Sequence, residues 1–210
     1  MSFEIAGYQW AVNVMLRRLG ILIVALSISL SWAPEACAQS SDSSDSSEYL
    51  IKAGFIYNFA KFVEWPTAAF AQADSPIVIG ILGTDPFGNL IDRIVENKKI
   101  GARGLVVKRL KWGTDLKDIK ECKILFVGAS EKAHLDDLVQ IVKSLPILTV
   151  GETPGFAERG GVIRFVVEDN RVRFEINVEA AHQADLTISS RLLTLARIIQ
   201  QANADARKPG

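Results

Sequence analysis

The chain has few cysteine and histidine residues and no formal net charge. Its 210 residues include two Cys and two His, and 24 Lys+Arg are balanced by 24 Asp+Glu. So few Cys and His leave little material for a zinc or iron–sulfur site. A formal net charge of zero creates no overall field to attract nucleic acid or an anionic membrane surface. The length suits one globular domain, and we expect no metal, no cofactor and no nucleic acid.

Motifs for catalysis and nucleotide binding are also missing. The sequence contains no G-x-S-x-G nucleophile elbow, no Walker pattern and no G-x-G-x-x-G. The loop Gly83–Gly88 precedes a predicted helix, but Asp85 would repel a phosphate, which favours a capping turn over a nucleotide loop. His134 and His182 lie in polar, helix-like surroundings and are expected to be solvated. We therefore predict no catalytic residue and no enzyme.

The first 38 residues predict a Sec signal peptide. Arg17 and Arg18 precede an apolar run at 19–30, and small residues up to Ala38 suit signal peptidase, so cleavage is expected after Ala38. The apolar run is shorter than the ~20 residues of a helix that spans the bilayer. The sequence therefore predicts an exported chain without a permanent anchor.

Three further features concern the start of translation, the alternative of a lipoprotein and the thiol of the mature protein. Residues 1–14 fit no signal-peptide start, so translation is expected to begin at Met15. Cys37 raises the alternative of a lipoprotein, although the residues before it do not match such sites. Cleavage leaves Cys122 as the single thiol, which excludes an internal disulfide. Because an apolar run follows Cys122, we expect a partly buried apolar residue, with a redox or intermolecular thiol as the alternative.

A polar spacer and an apolar helix follow the predicted cleavage site. Residues 39–47 are rich in Ser and Asp and predict a disordered spacer. A single domain is expected over 48–205, with a frayed tail at 206–210. Apolar residues recur at helical spacing from Tyr49 to Trp65 and surround almost the whole helix. Such a helix is typical of a core between layers, and a face reserved for a partner chain is the alternative.

The rest of the chain predicts an α/β fold. Strands at 77–82, 105–110, 123–128 and 146–151 alternate with helices at 86–96 and 130–144. This order indicates βαβ units and a mostly parallel sheet flanked by helices, a Rossmann/flavodoxin-like sandwich.

A C-terminal antiparallel hairpin is predicted around the turn dipeptide Asp169-Asn170, which two alternating patterns at 161–168 and 171–177 flank. The polar residues of the second strand share one face, which is expected to be wet or to touch something polar. A last helix is predicted at about 189–204.

The connection Gly151–Gly161 is the most informative loop. It is rich in Gly and Pro and follows a strand end, where ligands and partners meet open α/β sheets. Phe156 is a large apolar side chain among turn residues. It either plugs the core or lines the mouth of a pocket, and both alternatives stay open.

Ordered sequence blocks across nearly the whole mature chain resemble the YfiR family. The resemblance implies a periplasmic, non-enzymatic regulator of Gram-negative bacteria. Such a protein binds the periplasmic part of an inner-membrane diguanylate cyclase and holds it inactive, which lowers cyclic di-GMP and biofilm formation. The resemblance also implies sequestration by an outer-membrane, peptidoglycan-binding lipoprotein. The matching blocks are Tyr49–Pro66, Ile79–Gly83, Ile124–Gly128, Leu148–Gly151, Gly155-Phe156, Gly160–Ile163, Arg173–Asn177 and Ile188–Ala196.

The resemblance transfers no catalytic residue and no contact motif, so partner-binding residues are predicted on physical grounds. Exposed aromatic residues beside glycine loops and exposed arginines anchor interfaces well. Two other functions stay open: a periplasmic small-molecule binder whose Gly151–Gly161 loop closes over a ligand, and an exported hydrolase using Ser130 or Asp85. A homodimer also stays open. The predicted partner-binding residues are Phe156, Tyr57, Trp65, Arg171, Arg173 and Arg191.

Overall fold

The computed structural model describes residues 40–113 and 116–200. The predicted signal peptide with its start at Met15, the Cys37 alternative and the tail at 206–210 lie outside these residues. The chain divides into two compact units between Asp42 and Ser43, and the fold belongs to the second. Within the described residues, no helix has the length and apolar character needed to cross a membrane.

A long helix, α1 (Ser40–Phe62), opens the fold. Residues 40–47, predicted to be a disordered spacer, are helical instead. Once the apolar part of a helix is fixed by packing, each further residue adds a hydrogen bond at little cost, and an ion pair between Glu48 and Lys52 at i,i+4 spacing supports the extension. Ile56 and Phe59 are fully buried, so the interpretation of α1 as a core helix is confirmed.

An eight-stranded sheet forms the centre of the domain. Its strands are β2 (Ile77–Leu82), β3 (Lys99–Ile100), β4 (Arg103–Leu110), β5 (Ile124–Val127), β6 (Leu148–Gly151), β7 (Ile163–Glu168), β8 (Arg171–Asn177) and β10 (Arg197–Ile199). The sheet is mostly parallel, as predicted. Strand β3 runs antiparallel to β4 and β8 runs antiparallel to β7, whereas β10 runs parallel to β8. A separate antiparallel pair joins β1 (Val63–Glu64) to β9 (Thr187–Ile188). The spatial order of the eight-stranded sheet is β10-β8-β7-β6-β5-β2-β4-β3.

Helices cover both faces of the sheet. Alternate residues of β2 show the two layers, since Ile79 and Ile81 join one core and Leu82 joins the other. The first core lies under α1, α2 (Leu90–Val95), α5 (Val178–Gln183) and α6 (Ser190–Leu193), and the second lies under α3 (Leu116–Glu121) and α4 (Leu135–Val142). The predicted α/β sandwich is therefore confirmed.

In the C-terminal region the structure confirms the predicted hairpin and contradicts the predicted last helix. The hairpin β7–β8 forms as predicted, and its turn residues Asp169 (φ 50°) and Asn170 (φ 58°) adopt the left-handed conformation of a two-residue hairpin turn. The predicted helix at 189–204 is wrong, because α6 ends at Leu193 and the chain continues as β10. A short apolar run fits a strand as well as a helix, and pairing with β8 selects the strand.

Candidate functional site

The expected ligand crevice of this sheet is filled by protein. Strand order reverses at β2, whose neighbours β4 and β5 lie on opposite sides, and ligands of such sheets bind beyond the carboxyl ends of the strands at that point. Here the Thr84 backbone N–H donates to Ser130 Oγ (3.0 Å), and Ser130 donates to Glu131 Oε1 (3.0 Å). A Cβ on Gly83 (φ +89°) would lie 2.4 Å from Ser130 Oγ. Ser130 therefore joins the loop that follows β2 to the loop that follows β5.

The loop Gly83–Gly88 is a turn, as predicted, but the helix after it starts later than predicted. Asp85 Oδ1 accepts from the Phe87 backbone N–H (2.7 Å), and Asp85 Oδ2 accepts from Arg109 Nε (2.9 Å). The positive φ of Gly88 (53°) interrupts the chain, so α2 begins at Leu90 and not at Pro86. The Asp85 carboxylate supports a turn over a phosphate loop, but Asp85 does not cap α2, because the N-cap residue of that helix is Asn89.

A buried ion pair ties α1 to the end of β6. Lys52 is 3 % exposed, and its Nζ lies 2.6 Å from Glu152 Oε2 and 2.6 Å from Glu48 Oε1. The Tyr49 hydroxyl donates to Glu152 Oε1 (3.2 Å). We call Lys52, Glu152, Glu48 and Tyr49 the latch. It occupies the carboxyl-terminal edge of the sheet beside the filled crevice.

The Tyr49 hydroxyl of the latch leads to a prediction for the stability of the protein at alkaline pH. Burial raises the pKa of the Tyr49 phenol well above its usual value, and the negative charge of Glu152 adds to the rise. An unfolded tyrosine titrates near pH ~10, so above that pH only the unfolded chain releases this proton. This contribution to the free energy of unfolding is therefore intact below pH ~10 and falls as the pH rises further.

Urea denaturation of the wild type and of Tyr49→Phe between pH about 8 and about 11 measures this effect. We expect the variant to lose less stability over that interval than the wild type loses. An identical alkaline loss in both proteins would contradict the prediction.

Phe156 lies inside the protein, so its predicted exposure is wrong. The side chain is 1 % exposed, and a Cβ on Gly151 or Gly161 would lie 2.6 or 2.1 Å from its ring. The two glycines thus let the backbone close over the ring, and Asn177 Nδ2 holds the loop by donating to the Ala157 carbonyl (2.7 Å). Of the two alternatives, the core plug is confirmed.

The other predicted partner-binding residues lie apart from one another. Tyr57 is half-buried on α1, and the half-buried Trp65 donates from Nε1 to the Lys123 carbonyl (3.1 Å). Arg171 and Arg173 are exposed on the hairpin, whereas Arg191 is exposed on α6. The structure therefore brings only the hairpin arginines together, and the role of all six in binding stays a prediction.

A first surface depression, the Trp65 groove, has a volume of about 340 Å³. The guanidinium of Arg103 stacks 3.6 Å from the centre of the Phe70 ring and donates to the carbonyls of Gln72 (2.9 Å) and Ser75 (2.8 Å). This cation therefore holds part of the groove wall in place. The groove is lined by Ala60, Val63, Glu64, Trp65, Thr67, Phe70, Ile77, Ile100 and Arg103.

A second depression, the hairpin cleft, has a volume of about 210 Å³ and lies between the β7–β8 hairpin and β10. The Glu175 side chain is 6 % exposed and accepts from Arg164 Nη1 (2.9 Å) and Arg197 Nη1 (3.1 Å). Arg197 also donates to Glu168 Oε1 (2.7 Å). The predicted polar face of the hairpin is thus confirmed. The lining residues are Val166, Glu168, Arg173, Phe174, Glu175, Thr194, Leu195, Ala196 and Arg197.

The remaining reactive side chains are held in structural contacts. Cys122 is fully buried, and burial raises the pKa of its thiol to about 11, so the prediction of a buried apolar residue is confirmed. His182 is exposed, as predicted. His134 is not simply solvated, because its ring stacks on Trp112 (4.3 Å between centres) and Nδ1 lies 3.2 Å from Glu131 Oε2. Over the described residues, no cluster of His, Cys, Asp and Glu could hold a metal ion.

Comparisons with known proteins show a family and a similarity to solved structures. A family model described as YfiR/HmsC-like matches residues 49–197. No curated protein matches the chain. The ABC domain in complex with L-Trp from Streptococcus pneumonia is similar in structure, with a TM-score of 0.44 and 15 % sequence identity. The similarity covers 59 % of this chain and 55 % of that one, so the chain matches little more than half of that structure.

Proposed function

The chain belongs to the YfiR/HmsC-like family of periplasmic regulators of diguanylate cyclases, and on that premise we propose that it binds and represses one such cyclase. Its target is the periplasmic part of an inner-membrane diguanylate cyclase. Repression lowers cyclic di-GMP and thereby biofilm formation. The observation that carries the proposal is the family match, which spans residues 49–197 and therefore includes most of α1 and the whole sheet up to the start of β10.

The proposed mechanism is stoichiometric binding rather than turnover. A regulator that binds the inactive state of a cyclase more tightly than the active state shifts the population toward inactivity, by no more than that difference in affinity. The filled crevice at β2 and β5 and the Phe156 plug support this mechanism. Ser130 joins the two loops at the crevice, and the Phe156 ring occupies the space under the Gly151–Gly161 loop.

Export and release complete the proposal. The regulator reaches the periplasm through the predicted Sec signal peptide and meets the cyclase there. An outer-membrane, peptidoglycan-binding lipoprotein sequesters it, and the cyclase is then released from repression.

The proposal is tested by binding and by cyclic di-GMP in the cell. The protein purified from the periplasm is titrated against the purified periplasmic segment of each membrane diguanylate cyclase of the same genome. Cyclic di-GMP is measured in a strain that lacks this gene and in the complemented strain. Saturable binding to one segment and raised cyclic di-GMP in the deletion strain are expected. Unchanged cyclic di-GMP together with no binding to any segment would overturn the proposal.

A periplasmic small-molecule sensor is the second candidate, and the Trp65 groove favours it. Its volume of about 340 Å³ lies at the lower end of the range of about 300–1,000 Å³ found for ligand pockets. A ligand of the native state raises the melting temperature by mass action. A shift with one member of a metabolite panel, lost in Trp65→Ala, would support this candidate. No shift across the panel would count against it.

A further inference from the structure

The carboxylates of the hairpin cleft are already paired with arginines of the same chain. Arg197 bonds both Glu168 and Glu175, and Arg164 bonds Glu175 again. Each acid of the cleft is therefore held by an arginine before any partner arrives. Additional arginines nearby find little negative charge within the protein.

Two exposed cations remain beside the cleft. Arg171 makes no ion pair with any residue in the part of the chain that the structure describes. Arg173 is 54 % exposed on its side chain, and its ion pair with Glu168 spans 3.8 Å, a separation at which an exposed pair contributes little. Asp169 is exposed at the hairpin tip, but one acid does not balance both arginines. The rim of the cleft therefore carries excess positive charge.

Apolar side chains lie directly beside these cations. Leu195, which lines the cleft, is 71 % exposed, the highest value among the large exposed apolar side chains of the described residues. Val166, half-buried on β7 opposite Arg173, lines the same cleft. Its volume of about 210 Å³ is several times the ~30 Å³ that one water occupies in the liquid. An apolar centre with arginines at its edge is typical of protein interfaces.

We infer that the hairpin cleft is the surface that binds the cyclase, and that the cyclase offers an apolar side chain flanked by carboxylates. The apolar side chain enters between Val166 and Leu195. The carboxylates pair with Arg171 and Arg173, whose positive charge also steers the encounter. Within the described residues β10 is the edge strand of the sheet, so this surface lies at a sheet edge. The inference rests on the proposed function, because it names the surface used for that binding.

Charge reversal tests the cation part of the surface. Arg171→Glu with Arg173→Glu is compared with Lys98→Glu with Lys99→Glu, which makes the same charge change on exposed residues at the opposite edge of the sheet. Affinity for the periplasmic segment of the cyclase is measured by titration calorimetry. We expect the hairpin double variant to bind on the order of 10- to 100-fold more weakly and the control variant to bind like the wild type. The wild-type affinity should also fall as salt increases.

Leu195→Ser tests the apolar part, with Ile141→Ser on α4 as the control for an exposed apolar residue elsewhere. Only the first should weaken binding. If the wild type binds the cyclase segment and all four variants bind equally well, the hairpin cleft is the wrong surface although the proposed function stands. If the wild type binds no segment, the proposed function itself fails. A change in the protein's own oligomeric state, confined to the hairpin variants in sedimentation, would assign the cleft to a second copy and overturn the inference.

Discussion

Phe156→Ala is expected to lower the free energy of unfolding by about 3–5 kcal/mol. The ring is fully buried under the Gly151–Gly161 loop, and the loop has no other large apolar side chain with which to fill the space. Removing the ring leaves a cavity between the sheet and the loop. A loss of this size approaches the whole stability of many domains, so the variant should melt at a much lower temperature.

The measurement is urea denaturation followed by circular dichroism, with Val167→Ala as the control. Val167 is an exposed apolar residue on β7, and its truncation should change stability by no more than about 0.5 kcal/mol. Gly161→Ala provides an independent check, because its Cβ would lie 2.1 Å from the Phe156 ring. We expect it to be destabilising in the wild type and less so in a Phe156→Ala background. A loss below about 1 kcal/mol for Phe156→Ala would mean that the loop does not depend on its plug.

Lys52→Met is expected to cost a similar amount, about 3–5 kcal/mol, because it removes one partner of a buried ion pair. Methionine retains the apolar stem of the lysine, so packing changes little. The carboxylate of Glu152, whose side chain is 14 % exposed, loses its contact at 2.6 Å. Its remaining side-chain donor within the described residues is the Tyr49 hydroxyl. The cost is the burial of a negative charge without a cation.

The double variant Lys52→Met with Glu152→Gln separates charge from packing. It removes both charges, and we expect it to be more stable than Lys52→Met alone, which is the sign of coupling in a double-mutant cycle. Lys108→Met serves as the control, since the ion pairs of Lys108 with Asp118 and Glu121 are exposed and should matter little. If the double variant is no more stable than the single one, the loss comes from packing rather than from the unpaired carboxylate.

The sequence predicts those parts of the fold that local pattern determines. The apolar run at Ile77–Leu82 is a buried strand, and Asp169-Asn170 forms the expected turn because both residues tolerate positive φ. The start of α1 and the course of residues 189–200 depend on packing against distant segments. Arg197 meets Glu168 and Glu175 only after the hairpin has formed, and no periodicity shows this. Helix α5 was missed, although its signal was present: Asn177 accepts from the Ala180 backbone N–H as an N-cap.

The candidate surface was predicted only in part. Alternation along β8 placed Arg171 and Arg173 on one polar face, which the structure confirms. Leu195 was assigned to a helix and therefore not considered for this surface, because the strand that brings it beside the hairpin was not recognised. Phe156 shows the opposite error. A large apolar residue in a glycine-rich loop can point outward or inward, and only the three-dimensional course of the loop decides between them.

The position of α1 also determines when the domain can fold. The ring centre of Phe59 lies 5.7 Å from that of Phe165 and 5.2 Å from that of Phe174, and the latch joins residues 100 positions apart. Helix α1 therefore obtains these neighbours only after β7 and β8 have been made, and contacts of such long range slow folding. A nascent chain that stops before β8 exposes the aromatic side of α1 and is prone to aggregate. The core around Phe59 is therefore complete only when the hairpin has formed.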